Sequence, residues 1–240
     1  KAWLAAHAPK HAIAPGQVLS DADQVARGKA WQREKYDGGY AGITLPKTLG
    51  GRGGTIIEAV VFDEEEGRYH LPKGPYIGIG LGMALPVIGK HGTPQQIEKF
   101  VEATLKGELT WCQLFSEPSA GSDLAAVRTR AVKDGDDWVI NGRKIWITRA
   151  AEADFTILMA ITDPERRARG GMSAFLVDRD TPGFNVLRRI PMLGGEYTYE
   201  VVLEDCRVPG WKLLGKEGDG FGPMQVRLGT RRMEMAAWCI

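Results

Sequence analysis

The chain has 240 residues, 43% hydrophobic and 25% charged, with a formal net charge of +1, the balance of a globular protein with a substantial core. That charge gives no footprint for nucleic acid or an anionic membrane surface, and no apolar run is long enough to span a bilayer. Three scattered cysteines, Cys112, Cys206 and Cys239, make neither a disulfide framework nor a zinc site and fit a reducing compartment.

The first hundred or so residues read as helical. Ser20-Asp21 caps a helix over residues 22–36, and Gly38-Gly39 stops it. Residues 40–54 are loop, with Pro46 and five glycines. Thr55 caps a helix carrying Ile56, Ile57, Ala59, Val60 and Val61, and its acidic run 63–66 reads as a solvated face because no His or Cys stands at ligand spacing. Residues 75–90 are apolar with several glycines and fit a helix buried on most sides. Thr93 as N-cap and Pro94 at the first helical position open another helix, with Ile97, Phe100, Val101 and Leu105 at helical spacing.

After Leu109 the pattern changes to short alternating runs with turn signals, so the middle of the chain is β. Strand-like runs cover 109–116, 127–133, 155–161, 172–177, 184–190 and 200–208, with a turn at 134–137 and a charged, glycine-ended surface loop at 162–171. Asn141-Gly142 is the dipeptide favoured in two-residue hairpin turns and predicts a hairpin there. Alternation along the following strand places Trp146 and Thr148 on one side. From Phe221 the chain is helical again. The fold class is therefore α+β: a helical domain over 1–109, a middle antiparallel β domain, barrel-like, over 110–218, and the start of a C-terminal helical bundle over 219–240. The chain opens on Lys1 without Met and stops at Ile240 inside an amphipathic run, so both ends read as cut.

A small-residue loop, 119–123, lies opposite a large aromatic and a hydroxyl, Trp146 and Thr148. That combination suits a flat polar ring carrying phosphates, because such loops form anion-binding concavities. No glycine fingerprint follows a strand, which argues against an independently bound nicotinamide. His7, His11, His70 and His91 show no partner pattern for nucleophilic catalysis and read as surface or structural, and Cys112 reads as packing.

The runs FSEPSAGSD (115–123) and INGRKIWIT (140–148) resemble the flavin-binding segment of the acyl-CoA dehydrogenase family. Further likeness lies in LGGRGG (49–54), HGTPQQ (91–96), LKGEL (105–109), DRDTPG (178–183), Val208-Pro209 and LGKEGDGF (214–221). The resemblance implies FAD-dependent α,β-dehydrogenation of an acyl-CoA thioester in fatty acid metabolism. Phe115 and Ser116 would lie along the pyrimidine side of the ring. Thr148 would bond near flavin N5, Trp146 would pack beside the ring, and Gly121 and Ser122 would approach the pyrophosphate. Ser122 would also meet the pantetheine arm, while Ile79 and Met83 would line the acyl cavity; core packing is the competing reading for both.

The family's base is a glutamate, usually in a further helical domain. Arg231 occupies the position some members use, so the catalytic residue is unassigned, with Glu234, one turn on, as the candidate within this chain. Two departures, Arg149-Ala150 after the Trp-Ile-Thr motif and the sequence 194–200, fall where substrate is expected to pass. Electron-transfer flavoprotein is implied as electron acceptor, with assembly as a homodimer or homotetramer in bacterial cytoplasm or the mitochondrial matrix. The rival readings are a same-fold flavin oxidase or monooxygenase and a non-catalytic subunit of a hetero-oligomer.

Overall fold

Seven helices and eight strands make up the described part of the chain, a computed structural model that covers residues 1–72, 75–193 and 197–238. The helical half holds α1 (Ala2–His7), α2 (Asp21–Asp37), α3 (Ile56–Glu66), α4 (Pro75–Ile79), a π-helical turn (Gly80–Ala84), α5 (Leu85–His91) and α6 (Pro94–Leu105). Its boundaries follow the local chemistry. The Ser20 hydroxyl accepts from Asp23 N at 3.1 Å, and Thr55 and Thr93 each close a capping box with Glu58 and Gln96. Gln96 does more than cap: buried, it donates to Trp211 O at 2.7 Å and Leu213 O at 2.9 Å, tying α6 to the far end of the sheet half.

The acidic run on α3 corrects one expectation. Asp63 and Glu64 are exposed, but Glu66 is buried, where it accepts the Trp31 indole N–H at 2.7 Å and pairs with Lys35 at 3.2 Å. On the same helix Ile56, Ile57, Val60 and Val61 are the exposed residues, at 68%, 68%, 46% and 51%.

The sheet half comprises β1 (Trp111–Leu114), β2 (Arg130–Asp134), β3 (Asp137–Thr148), β4 (Phe155–Ile161), β5 (Met172–Asp178), β6 (Phe184–Pro191), β7 (Tyr197–Pro209) and β8 (Leu213–Leu214), before α7 (Phe221–Trp238). The strands run β6-β7-β3-β2-β4-β5-β8, with β1 paired to β4. This differs from an antiparallel barrel in two respects. Among the described residues the path does not close, and β4 is parallel to both β1 and β2. The β2–β3 hairpin separates β1 from β4 in sequence, so β4 returns beside β1 in the same direction, as parallel pairs require.

The Asn141-Gly142 turn is a second correction. The hairpin turns at Gly135 (φ 62°), within the expected 134–137 turn, and Asn141-Gly142 lies inside β3 at a register shift against β7. The Asn141 amide donates to Asp205 Oδ1 at 3.0 Å and accepts from Asp205 N at 2.8 Å. A Cβ on Gly142 would stand 2.3 Å from Thr129 Oγ1. Cross-strand pairing and a close approach use the residues that local preference would give to a turn.

All seven residues of β4 are buried, because its two faces serve two cores. Phe155, Ile157, Met159 and Ile161 join the helices, where Phe100 meets Trp111 and Phe155 edge-on with centroids 5.4 and 4.9 Å apart. Leu158 and Ala160 join Trp138, Ile140, Phe175 and Val201 inside the sheet. The joint between the halves is thus a continuous apolar layer, and a cavity opens at its end.

Candidate functional site

The cavity, about 250 Å³, lies between α4, the β1 end and its following loop, the end of β3, and α7. It gathers Phe115, Ser116, Gly121, Ser122, Trp146 and Thr148, which the sequence places around a ring and its phosphates, together with Ile79. Met83 is buried at 3% and is not among the lining residues.

Trp146 reaches the cavity through a break in strand regularity. Trp138, Ile140 and Lys144 are buried on one face of β3, and strict alternation would send Trp146 in after them. Instead the register against β7 shifts between Lys144 and Ile147, and Trp146 takes φ 62°. Ile147 turns inward at 2% exposure and Trp146 turns out at 53%. Positive φ at a bulky residue costs roughly 1–3 kcal/mol and persists where surrounding structure enforces it, often at a ligand site. The alternation behind the expected shared side of Trp146 and Thr148 therefore fails here, although both border the cavity.

Across the cavity the loop turns through paired bonds between Glu117 and Ala120, at 2.7 and 3.0 Å. The backbone N–H groups of Ser116, Gly121 and Ser122 have no protein acceptor among the described residues. A Cβ at Gly121 would meet no protein atom within 4 Å, so the missing side chain leaves room to the cavity.

Behind this wall lie two buried charges, Lys144 and Glu117, 2.8 Å apart. Burial outweighs the attraction of Glu117 and pulls the Lys144 ammonium down to about 8. The opposing charge of Lys144, with its hydrogen bond and that from the Thr129 backbone N–H, overcomes the burial of Glu117 and holds its carboxyl below the usual range.

Five further lining residues escaped the sequence reading: Gln113, Leu124, Ile147, Leu228 and Arg232. Gln113 was within reach, since it precedes Phe115 by two residues and shares its face. Its Nε2 is buried without a partner. Leu228 and Arg232 are four apart on one face of α7, and only the fold shows that this face closes the cavity. The side chains of Arg231 and Glu234 lie outside the described residues, as do residues 194–196. Arg149, expected near passing substrate, is buried at 2% with its Nη1 3.2 Å from Asp21 and does not line the cavity. Among the described residues no group of His, Cys, Asp and Glu forms a metal site.

Comparisons with known proteins identify the family of the chain. Residues 10–108 match the acyl-CoA dehydrogenase N-terminal domain and residues 112–206 the acyl-CoA dehydrogenase middle domain. The chain is 40% identical over 186 residues to acyl-CoA dehydrogenase FadE34 of Mycobacterium tuberculosis, covering 78% of this chain and 26% of that protein. It is 35% identical over 222 residues to the mitochondrial long-chain specific acyl-CoA dehydrogenase of Mus musculus, covering 91% and 51%. A crystal structure of acyl-CoA dehydrogenase from Geobacillus kaustophilus superposes with a TM-score of 0.79 at 32% identity, covering 96% of this chain and 61% of that one. The chain spans about half the length of the mouse relative and about a quarter of FadE34. With two family domains matched in order along a shared fold, the chain belongs to the acyl-CoA dehydrogenase family.

Proposed function

We propose that this protein is an FAD-dependent dehydrogenase that converts an acyl-CoA thioester to the 2-enoyl-CoA. The observation that carries the reading is the convergence of Phe115, Ser116, Gly121, Ser122, Trp146 and Thr148 on one cavity. The residues fit the cofactor. An orphaned amide N–H at Gln113, open space at Gly121 and unclaimed backbone donors at Ser116, Gly121 and Ser122 call for a ligand rich in acceptors.

FAD supplies the hydride acceptor when bound. In this reading the Ser116 and Thr148 hydroxyls donate to the polar edges of the ring, stabilising negative charge there without reorganisation. Trp146 covers the ring and excludes water. The Gly121 and Ser122 N–H groups hold the pyrophosphate, Ser122 meets the pantetheine arm, and Ile79 borders the acyl chain. A carboxylate base takes the α-proton, and Glu234 is its candidate within this chain. Electron-transfer flavoprotein as acceptor and assembly as a homo-oligomer complete the proposal. No helix among the described residues is long and apolar enough to cross a membrane.

Anaerobic addition of saturated acyl-CoAs of varied length and branching to the purified flavoprotein tests it. Bleaching of the visible flavin absorbance by one class is the expected result. Bound flavin that no acyl-CoA bleaches would remove the dehydrogenase reading.

A further inference from the structure

Two charged residues beside the cavity do not line it. Glu117 and Lys144 sit behind the wall with side-chain exposures of 3% and 0%. A buried ammonium is tolerated when each proton has an acceptor. Lys144 Nζ has three protons and three acceptors: Glu117 Oε1 at 2.8 Å, Met159 O at 2.8 Å and Phe115 O at 3.2 Å. Glu117 is used as fully. Its Oε1 also accepts from Thr129 N at 3.0 Å, and its Oε2 accepts from Arg128 N at 2.6 Å.

These bonds join the end of β1, the segment entering β2, and strands β3 and β4. They converge on the wall that carries Phe115 and Ser116. The residues after Lys144 continue the connection: Ile145 N donates to Ser116 O at 3.0 Å, and Trp146 follows. Glu117 is the charged group that acts on Lys144. The other elements packed there present backbone carbonyls (Phe115, Met159), and Arg128 and Thr129 reach Glu117 through backbone N–H groups.

We infer that the Glu117–Lys144 pair is a proton-gated latch that sets the Phe115–Ser116 backbone and so couples the protein's grip on FAD to pH. The inference rests on the flavin reading above. Loss of one proton leaves Lys144 with two N–H donors for three acceptors. One tether is lost, and the Glu117 carboxylate stays buried without its counter-charge. Burial draws the ammonium down to about 8, inside the range in which a flavoprotein can be handled. A ligand that requires the protonated form binds more weakly in proportion to the fraction remaining, about one-tenth at one pH unit above the midpoint.

The test is FAD titration into the flavin-stripped protein from pH 6.5 to 9.5, read by flavin fluorescence. The wild-type Kd is expected to rise about tenfold between pH 7 and 9. The double variant K144M/E117Q removes both charges and avoids stranding one of them; its Kd should be weaker at pH 7 and flat with pH. A flat wild-type profile, or a double variant that keeps the wild-type slope, would overturn the latch. The wild-type profile decides the matter even where the double variant does not fold. FAD that fails to bind at every pH would defeat the flavin reading itself, an outcome distinct from binding that ignores pH.

Discussion

Glu66 in the helical half and Glu117 in the sheet half are both buried carboxylates, neutralised in different ways. Glu66 accepts a neutral indole N–H from Trp31 and pairs with Lys35, whose side chain keeps 14% exposure. Glu117 faces a lysine with no exposure, and both members spend their remaining hydrogen bonds on backbone groups from separate segments of the sheet half. The first arrangement fastens one helix to another and leaves its cation a route to water. The second fixes backbone geometry beside a cavity, and neither charge can be removed alone without leaving the other stranded. Burial alone does not separate these roles. The partner's access to solvent does.

Lys144→Met breaks the contrast most severely. It leaves Glu117 buried and uncompensated, a change that costs about 3–5 kcal/mol, measurable as a shift in denaturant midpoint. The same pair fixes two pH windows. The lowered folded pKa of Glu117 contributes stability that is present above the unfolded value and lost as pH falls through the folded one. Lys144 acts with the same sign in a second window, at high pH. Its folded value, drawn down by burial to about 8, lies below the ordinary lysine value, so between them the unfolded chain binds more protons and unfolding free energy rises with pH from this group. Melting of wild type against K144M/E117Q across both windows should show each slope vanish with the pair.

Glu66→Leu is milder. It leaves the Trp31 N–H buried without an acceptor, at about 1–3 kcal/mol, while Lys35 turns to solvent. A loss from Glu66→Leu equal to that from Lys144→Met would erase the distinction drawn from solvent access. The smallest effect belongs to the outer face of α3. Ile57→Glu, at a side chain 68% exposed, should change stability by no more than about 0.5 kcal/mol, read from the same denaturation curves.

What the sequence reveals divides along similar lines. The starts of α2, α3 and α6 are legible because Ser20, Thr55 and Thr93 act on backbone groups three residues away. Strands β4 and β5 are legible because continuous apolar runs end at polar turns. The residues proposed to hold the ring are picked out by family likeness, and they share one cavity. Long-range causes are hidden. Asn141-Gly142 answers to Asp205 and Thr129, Glu66 answers to Trp31, and the outward turn of Trp146 depends on a register shift against β7. Each is a case of tertiary pairing overriding a local preference that was correctly read.

The parallel pairing of β1 with β4 also sets an order of events during folding. Trp111 registers with Phe155 and Leu114 with Leu158, so β1 waits for a partner that follows the whole β2–β3 hairpin in the chain. Such non-local closure is slow relative to helix and hairpin formation. On a ribosome, the apolar strand leading into Phe115 and Ser116 emerges with its pairing edge bare until β4 has been synthesised. An unpaired apolar strand edge favours aggregation, so shielding residues 111–116 in that interval is expected to raise the yield of folded protein, measurable as the soluble fraction in cell-free synthesis with and without added chaperone.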